Sequence, residues 1–86
     1  MRKIVSAAVR LGPTIISAPP PARHHHLVNA LSGLSAQIVV QPEDQGFLTN
    51  EGQFVQRVEA RKIAEGAGQL LPRQSNLDEL FSEDVW

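Results

Sequence analysis

Short apolar runs interrupted by turn signals open the chain and indicate its first structural element. Residues 3–9 and 14–17 are rich in β-branched side chains, which favour strands. Gly12 and Pro13 lie between these runs; glycine permits a positive φ, and proline presets its own φ. Two β-branched runs on either side of such a turn predict a β-hairpin.

The centre of the chain repeats this pattern. Residues 46–49 and 53–55 are strand-like runs, and the Asn-Glu-Gly sequence at 50–52 joins them. Asparagine and glycine tolerate left-handed backbone, so we predict a second hairpin with a loop of three to four residues. Phe47 and Phe54 are then expected to supply most of the aromatic core.

Two segments carry apolar residues at the spacing of an amphipathic helix. The first helix is predicted over residues 23–34 and the second over residues 57–67. The apolar faces consist of Leu27, Ala30, Leu31 and Leu34 in the first helix, and of Ala60, Ile63, Ala64 and Ala67 in the second. Gly66 and Gly68 are expected to end the second helix. Residues 36–40 are interpreted as either a short strand or an extended linker.

These elements predict an α+β fold with a small mixed or antiparallel sheet and two helices packed on one of its faces. At 86 residues the chain has room for one domain, residues 1–86, in which we interpret residues 72–79 as a mobile loop. The final segment, residues 80–86, is at best a short edge strand. We expect Phe81 or Trp86 to fix this segment onto the rest of the domain.

Charge is unevenly distributed along the chain, although the net charge is only -1. The first quarter is basic and contains Arg2, Lys3, Arg10 and Arg23. The last ten residues are acidic and contain Asp78, Glu79, Glu83 and Asp84. We expect the two ends to lie near each other, the alternative being that each faces a different partner. The small net charge argues against general binding of nucleic acids.

Neither a membrane span nor a secretory signal is predicted. No segment approaches the roughly 18 consecutive apolar residues of a membrane-spanning helix, and Arg10 interrupts the apolar run near the start. The chain contains no cysteine, which excludes disulfides and thiolate metal sites and fits a reducing compartment. We therefore expect a soluble, cytoplasmic protein that does not bind membranes.

Three consecutive histidines at the start of the first helix are candidates for chemistry. His24, His25 and His26 point about 100° apart around the helix axis, so at most two of them can share one site. The structural interpretation is that they are exposed first-turn residues, or that His24 makes a cap interaction with the C-terminal segment. The functional alternatives are a polar pocket completed by carboxylates and a metal site. We favour the structural interpretation and expect no metal and no cofactor.

Arg57 opens the second helix and is the other candidate. It is interpreted as pairing with Glu83 or Asp84, the alternative being that it binds an anion near the helix N-terminus. A ligand pocket at the junction of the helix starts and the C-terminal segment would contain six polar residues. These candidate residues are Arg23, His24, Arg57, Ser82, Glu83 and Asp84.

The sequence also resembles a family of small uncharacterised proteins encoded by bacteriophages and prophages. The resemblance rests on QGFLTN-x-G-x-FV-x-R-x-EA-x-x-IA-x-x-AGQ at residues 45–69 and on LFSEDVW at residues 80–86. The IVSAAVR opening and a Pro-x-Arg-His element at residues 21–24 extend it over nearly the whole chain. Such proteins often have Ser, Asp or Asn before the Arg-x-Glu-Ala element, whereas this chain has Gln56, a weak helix cap.

What the resemblance implies is a stand-alone phage accessory protein, and two functions are carried forward. The first is a non-enzymatic protein that binds and modulates a component of the host, such as a defence or regulatory factor. The second is a small-ligand or nucleotide pocket, enzymatic or not, built from the six candidate residues. A host protein is the expected partner, and a homodimer is a further expectation because the sheet face without helices would be open.

Overall fold

Four strands and two helices form the structure, a computed structural model that describes residues 1–34, 40–72 and 78–86. In chain order the elements are β1 (Ile4–Leu11), β2 (Thr14–Ala18), α1 (His24–Leu34), β3 (Gln45–Thr49), β4 (Phe54–Gln56) and α2 (Arg57–Gly66). Two 3-10 turns, Pro42–Asp44 and Ser82–Asp84, complete them. The two hairpins and both helices therefore lie where the sequence pattern predicted them.

The strands form one antiparallel sheet in the order β2-β1-β3-β4. Ala7 of β1 pairs with Phe47 of β3, and Phe47 pairs with Val55 of β4, so these side chains share one face. Both helices pack on this face. Leu27 and Leu31 of α1 contact β1, and the small residues of α2 contact β3 and β4. The predicted α+β fold with two helices on one face is confirmed.

Each hairpin turn depends on a glycine with positive φ. Gly12 has φ 58° and is followed by Pro13, the arrangement of a type II′ turn, whose twist matches that of the flanking strands. Gly52 has φ 77° in the second turn. That turn is closed by a bond from the Thr49 N–H to the Gln53 carbonyl at 2.9 Å. Both turns confirm the sequence prediction.

The two phenylalanines of the second hairpin lie on opposite faces of the sheet, which corrects one expectation. Phe47 is completely buried under the helices, whereas Phe54 pairs with Leu48 and lies on the far face. There its ring lies against Gly46, and the Arg10 guanidinium lies over the ring at 5.0 Å. The strand register decides this outcome, because neighbouring residues of a strand point to opposite faces.

Helix α2 follows β4 without an intervening residue. Its N-cap residue Gln56 makes no capping bond, as its type predicted, and instead donates from Nε2 to the Glu43 carbonyl at 3.1 Å. At the other end the Gln69 N–H bonds to the Ala64 carbonyl, and Gly68 adopts φ 68°. This is a Schellman motif, so the predicted glycine stop of the helix is confirmed.

Some predictions fall on residues that lie outside the described ranges. The strand or linker predicted at 36–40 is described only at Val40, which packs against the apolar cluster under α1. The loop predicted at 72–79 is described only at Pro72, Asp78 and Glu79. Within the described ranges, neither helix has the length and apolar character needed to cross a bilayer.

Substituting Gly46 with alanine tests the packing of the hairpin. A Cβ at this position would overlap the Val55 carbonyl oxygen and lie 2.7 Å from Cζ of Phe54. We expect Gly46→Ala to lower the free energy of unfolding by about 2–3 kcal/mol, because backbone cannot move aside. Urea denaturation followed by circular dichroism measures the change. Gly33→Ala is the matched control: nothing lies within 4 Å of the added Cβ, and alanine favours a helix. Equal stabilities of the two variants would contradict this packing.

Candidate functional site

The C-terminal segment, residues 78–86, is held against the core by its backbone. The Leu80 N–H donates to the Arg57 carbonyl at 3.0 Å, and the Leu71 N–H donates to the Asp84 carbonyl at 2.8 Å. Asp84 is completely buried, and its Oδ2 accepts the Phe81 N–H at 2.9 Å. This local bond favours the 3-10 turn at Ser82–Asp84, so the expectation of a short edge strand is wrong.

Trp86 fixes the end of this segment through three contacts. Its indole Nε1 donates to the Ala22 carbonyl at 2.8 Å, and its main-chain oxygen accepts a bond from Arg23 Nη2 at 2.7 Å. Its ring meets Phe47 edge-on, with ring centroids 6.3 Å apart. The expectation that Trp86 fixes the segment onto the domain is confirmed.

His24 is buried, unlike the other two histidines, which are exposed. As the first residue of α1 it faces β3, where Nε2 donates to the Gly46 carbonyl at 2.6 Å. Its ring stands edge-on to Phe47 at 4.9 Å. Burial is the main effect and lowers the pKa of His24, and the positive charge of Arg57 lowers it further. The hydrogen bond to the Gly46 carbonyl and the Glu83 carboxylate raise the pKa, but the net shift is downward.

The expectation that the histidines are exposed is therefore wrong for His24 and right for His25 and His26. The alternative, a cap interaction between His24 and the C-terminal segment, is also wrong, because the imidazole bonds to β3 instead. His26 has a capping role of its own: its Nδ1 accepts the Arg23 N–H at 2.8 Å, which satisfies a free donor at the start of α1.

Arg57 lies beside the C-terminal segment and contacts it through an aromatic ring. Its guanidinium lies 4.7 Å from the centre of the Phe81 ring, and its Nη2 donates to Gln45 Oε1 at 2.8 Å. Burial lowers the pKa of Arg57, whereas the carboxylates of Glu79 and Glu83 raise it. Among the residues that the structure describes, the buried Nε of Arg57 has no hydrogen-bond partner.

The predicted ion pair of Arg57 with Glu83 or Asp84 is wrong. Glu83 Oε2 lies 3.7 Å from Arg23 Nη1 and forms an ion pair with that residue, and Asp84 bonds to the Phe81 N–H. The Arg23–Glu83 pair joins the basic first quarter of the chain to its acidic end. It confirms that the two ends lie near each other.

The six predicted site residues make different kinds of contact in the structure. Arg23, His24, Arg57 and Glu83 lie close enough to affect one another through an ion pair or through their charges. Buried Ser82 accepts the N–H groups of Val85 and Trp86 at its carbonyl oxygen. Together with Asp84 it shapes the 3-10 turn. In the described ranges, no group of three His, Asp or Glu residues is arranged to hold a metal ion.

A groove that the sequence did not reveal lies elsewhere on the protein. It has a volume of about 960 Å³ and lies between β4, α2 and the N-terminal residues. None of the six candidate residues lines it. The one feature of the sequence that points to this groove is Val58, an apolar residue among polar ones on the outer side of α2. Its side chain is half exposed. We call this feature the β4 groove.

The chain was compared with protein-family models, curated proteins and solved structures. The family model described as Phage T4 y16D protein matches residues 3–86. No curated protein and no solved structure matches the chain.

The buried histidine makes stability depend on pH. Because the pKa of His24 is lowered in the folded state from 6.5, the unfolded chain binds this proton first as the pH falls. The free energy of unfolding should therefore decrease as the pH falls through 6.5. Well above that pH His24 is neutral in both states, and its stabilising contribution is complete. Urea denaturation at a series of pH values measures this slope.

The His24→Gln variant keeps an amide that can donate to the Gly46 carbonyl but does not titrate, so the slope should diminish. His25→Gln, at an exposed neighbouring position, is the control and should keep the slope of the unmodified protein. An unchanged slope in His24→Gln would show that the buried imidazole does not set the pH dependence.

Proposed function

Because the chain belongs to the Phage T4 y16D protein family, we propose that it is a phage accessory protein that binds a host component without catalysing a reaction. The proposed component is a protein of the host cytoplasm, such as a defence or regulatory factor, whose activity changes when it is bound. Membership of a phage family supports an encounter with host proteins.

The observation that carries this proposal is that the six polar candidate residues are engaged within the protein. His24 and Arg57 bond to β3, and the other four lie in the C-terminal segment or bond to it. Arg23 binds the main-chain oxygen of Trp86, His24 binds Gly46, and Asp84 binds Phe81. A catalytic acid, base or nucleophile needs a side chain free to meet a substrate. Groups that are committed to intramolecular bonds serve stability, which favours binding through another part of the surface.

A second candidate function is supported by one group of the same cluster. The buried Nε of Arg57 makes no hydrogen bond to any residue in the described ranges, so within them one donor is left over beside His24. A small anion or a nucleotide phosphate could accept a bond from it. The carboxylates of Glu79 and Glu83 act on the same guanidinium, and they would repel an anionic ligand. We therefore prefer the first proposal.

Affinity capture tests the proposed function. The tagged protein, incubated with lysate of a susceptible bacterium, should retain one host protein that quantitative mass spectrometry identifies. Adding the untagged protein to that purified host protein should change its activity at equimolar ratio. Glu83→Gln is the matched variant: it alters an exposed carboxylate of the cluster and should retain the same host protein. Retention of nothing beyond the tag control, or a host protein whose activity is unaffected, would contradict the proposal.

Titration with adenosine triphosphate or inorganic phosphate, followed through Trp86 fluorescence, distinguishes the second candidate. A ligand that binds at Arg57 should give a saturable signal that Arg57→Lys removes, because lysine lacks the Nε–H donor of the guanidinium. We expect no saturable signal. A saturable signal that is lost in Arg57→Lys would favour the second candidate over the first.

A further inference from the structure

The β4 groove runs between a sheet edge and one side of a helix. On one side lie Phe54 and Gln56 of β4, the last strand of the sheet. On the other side lie Glu59, Lys62 and Gly66, whose spacing places them along one side of α2. A groove of this shape has room for an extended chain beside β4.

The backbone of β4 has hydrogen-bonding groups available on the groove side. The Thr49 N–H bonds to the Gln53 carbonyl, and bonded pairs recur at every second residue of an antiparallel ladder. Phe47 and Val55 are therefore a bonded pair, whereas Phe54 and Gln56 direct their N–H groups away from β3. Within the described ranges no strand pairs with this edge. An additional strand could bind there through main-chain hydrogen bonds.

Positive charge predominates in the groove. Arg2, Arg10 and Lys62 line it, and Glu59 is the acidic residue among the described lining residues. Glu59 lies 3.8 Å from Arg2, and Arg10 pairs with Asp44 at 3.4 Å. Lys62 forms no ion pair with any residue in the described ranges. A segment that carries carboxylates complements this lining.

Apolar side chains add a second feature. Met1 and Val58 both line the groove, and their exposed fractions are 95% and 50%. An extended chain directs alternate side chains to opposite sides. Only every second residue of an added strand therefore faces α2, where Val58 and Lys62 lie one turn apart on the same side of the helix. A segment with acidic and apolar residues two positions apart could present a carboxylate to Lys62 and an apolar group to Val58.

We propose that the β4 groove binds an extended acidic segment of the partner protein, which adds a strand to the free edge of β4. This inference rests on the proposed function, because it specifies the surface and the chemistry by which the partner is bound. A second copy of this chain fits the groove poorly, since its own acidic segment, residues 78–86, is already packed into the fold. Nucleic acid fits poorly too, because the accessible aromatic ring, Phe54, already carries the Arg10 guanidinium.

Fluorescence anisotropy with a defined probe tests the proposal. The probe is a fluorescein-labelled peptide of about ten residues in which Glu and Val take turns at every second position, with Thr between them, so that both lie on the face toward α2. We expect saturable binding that weakens as salt is added, and no binding of the peptide in which Lys replaces Glu. Methylating the alternate backbone nitrogens of the probe that face β4 should abolish binding, because strand addition needs those N–H donors, whereas methylating the other set should not.

Two charge-reversed variants locate the binding surface. Lys62→Glu should weaken binding of the probe about tenfold, because a repulsion replaces an attraction. Lys3→Glu makes the same change of charge at an exposed residue that does not line the groove, and it should change the affinity less than about twofold.

Three results would overturn the inference. They are equal affinities of Lys62→Glu and the unmodified protein for the probe, tighter binding of a single-stranded oligonucleotide than of the probe, and a dimer that Lys62→Glu dissociates. The proposed function is judged separately by capture. A host protein retained equally by the unmodified protein and by Lys62→Glu would leave that function standing and refute the groove as its binding surface.

Discussion

The contact of Trp86 with the core is the interaction on which the rest of the structure depends. Two apolar clusters lie on the helix-covered face of the sheet, one containing Phe47 and α2 and the other containing α1. Trp86 packs against both of them. A chain of 86 residues buries a comparatively small share of its surface, so a side chain that joins two small clusters contributes a large part of the stability.

This contact also determines what the polar residues around it can do. Two hydrogen bonds hold Trp86 in this position. Its indole N–H donates to the Ala22 carbonyl, and its main-chain oxygen accepts a bond from the Arg23 guanidinium. Glu83 then pairs with the same arginine. Four of the six polar residues that the sequence suggested as a ligand pocket therefore help to hold the C-terminal segment, whereas His24 and Arg57 bond to β3. The proposed binding surface lies elsewhere, in the β4 groove, where the side chains of Val58 and Lys62 are exposed.

Local signals in the sequence were sufficient for the elements. The turns at Gly12 and Gly52 need positive φ, which glycine supplies, and the helices follow from apolar spacing. The face on which Phe54 lies was not predictable in this way, because it depends on the register between β3 and β4. Burial of His24 was missed for a similar reason. Its sequence neighbours do not reveal that the first turn of α1 packs against Phe47.

The sequence suggested which polar residues to consider as a candidate site, but it did not indicate which groups they bind. Charge and position in the sequence suggested the six residues. Only their bonding partners show that four of them stabilise the C-terminal segment and that His24 and Arg57 bond to β3. The β4 groove is assembled from three parts of the chain, so no single stretch of sequence marks it. From the sequence, Lys62 and Val58 are ordinary exposed residues of a helix. Only the structure shows that they lie beside the free edge of β4.

Native-state hydrogen exchange of the Trp86→Ala variant tests the central claim most directly. If Trp86 joins the two clusters, protection of the amides of Leu31 in α1 and Ala64 in α2 should decrease together, by about 2–4 kcal/mol in opening free energy. Loss of protection confined to residues 78–86, with α1 and α2 unchanged, would contradict the account.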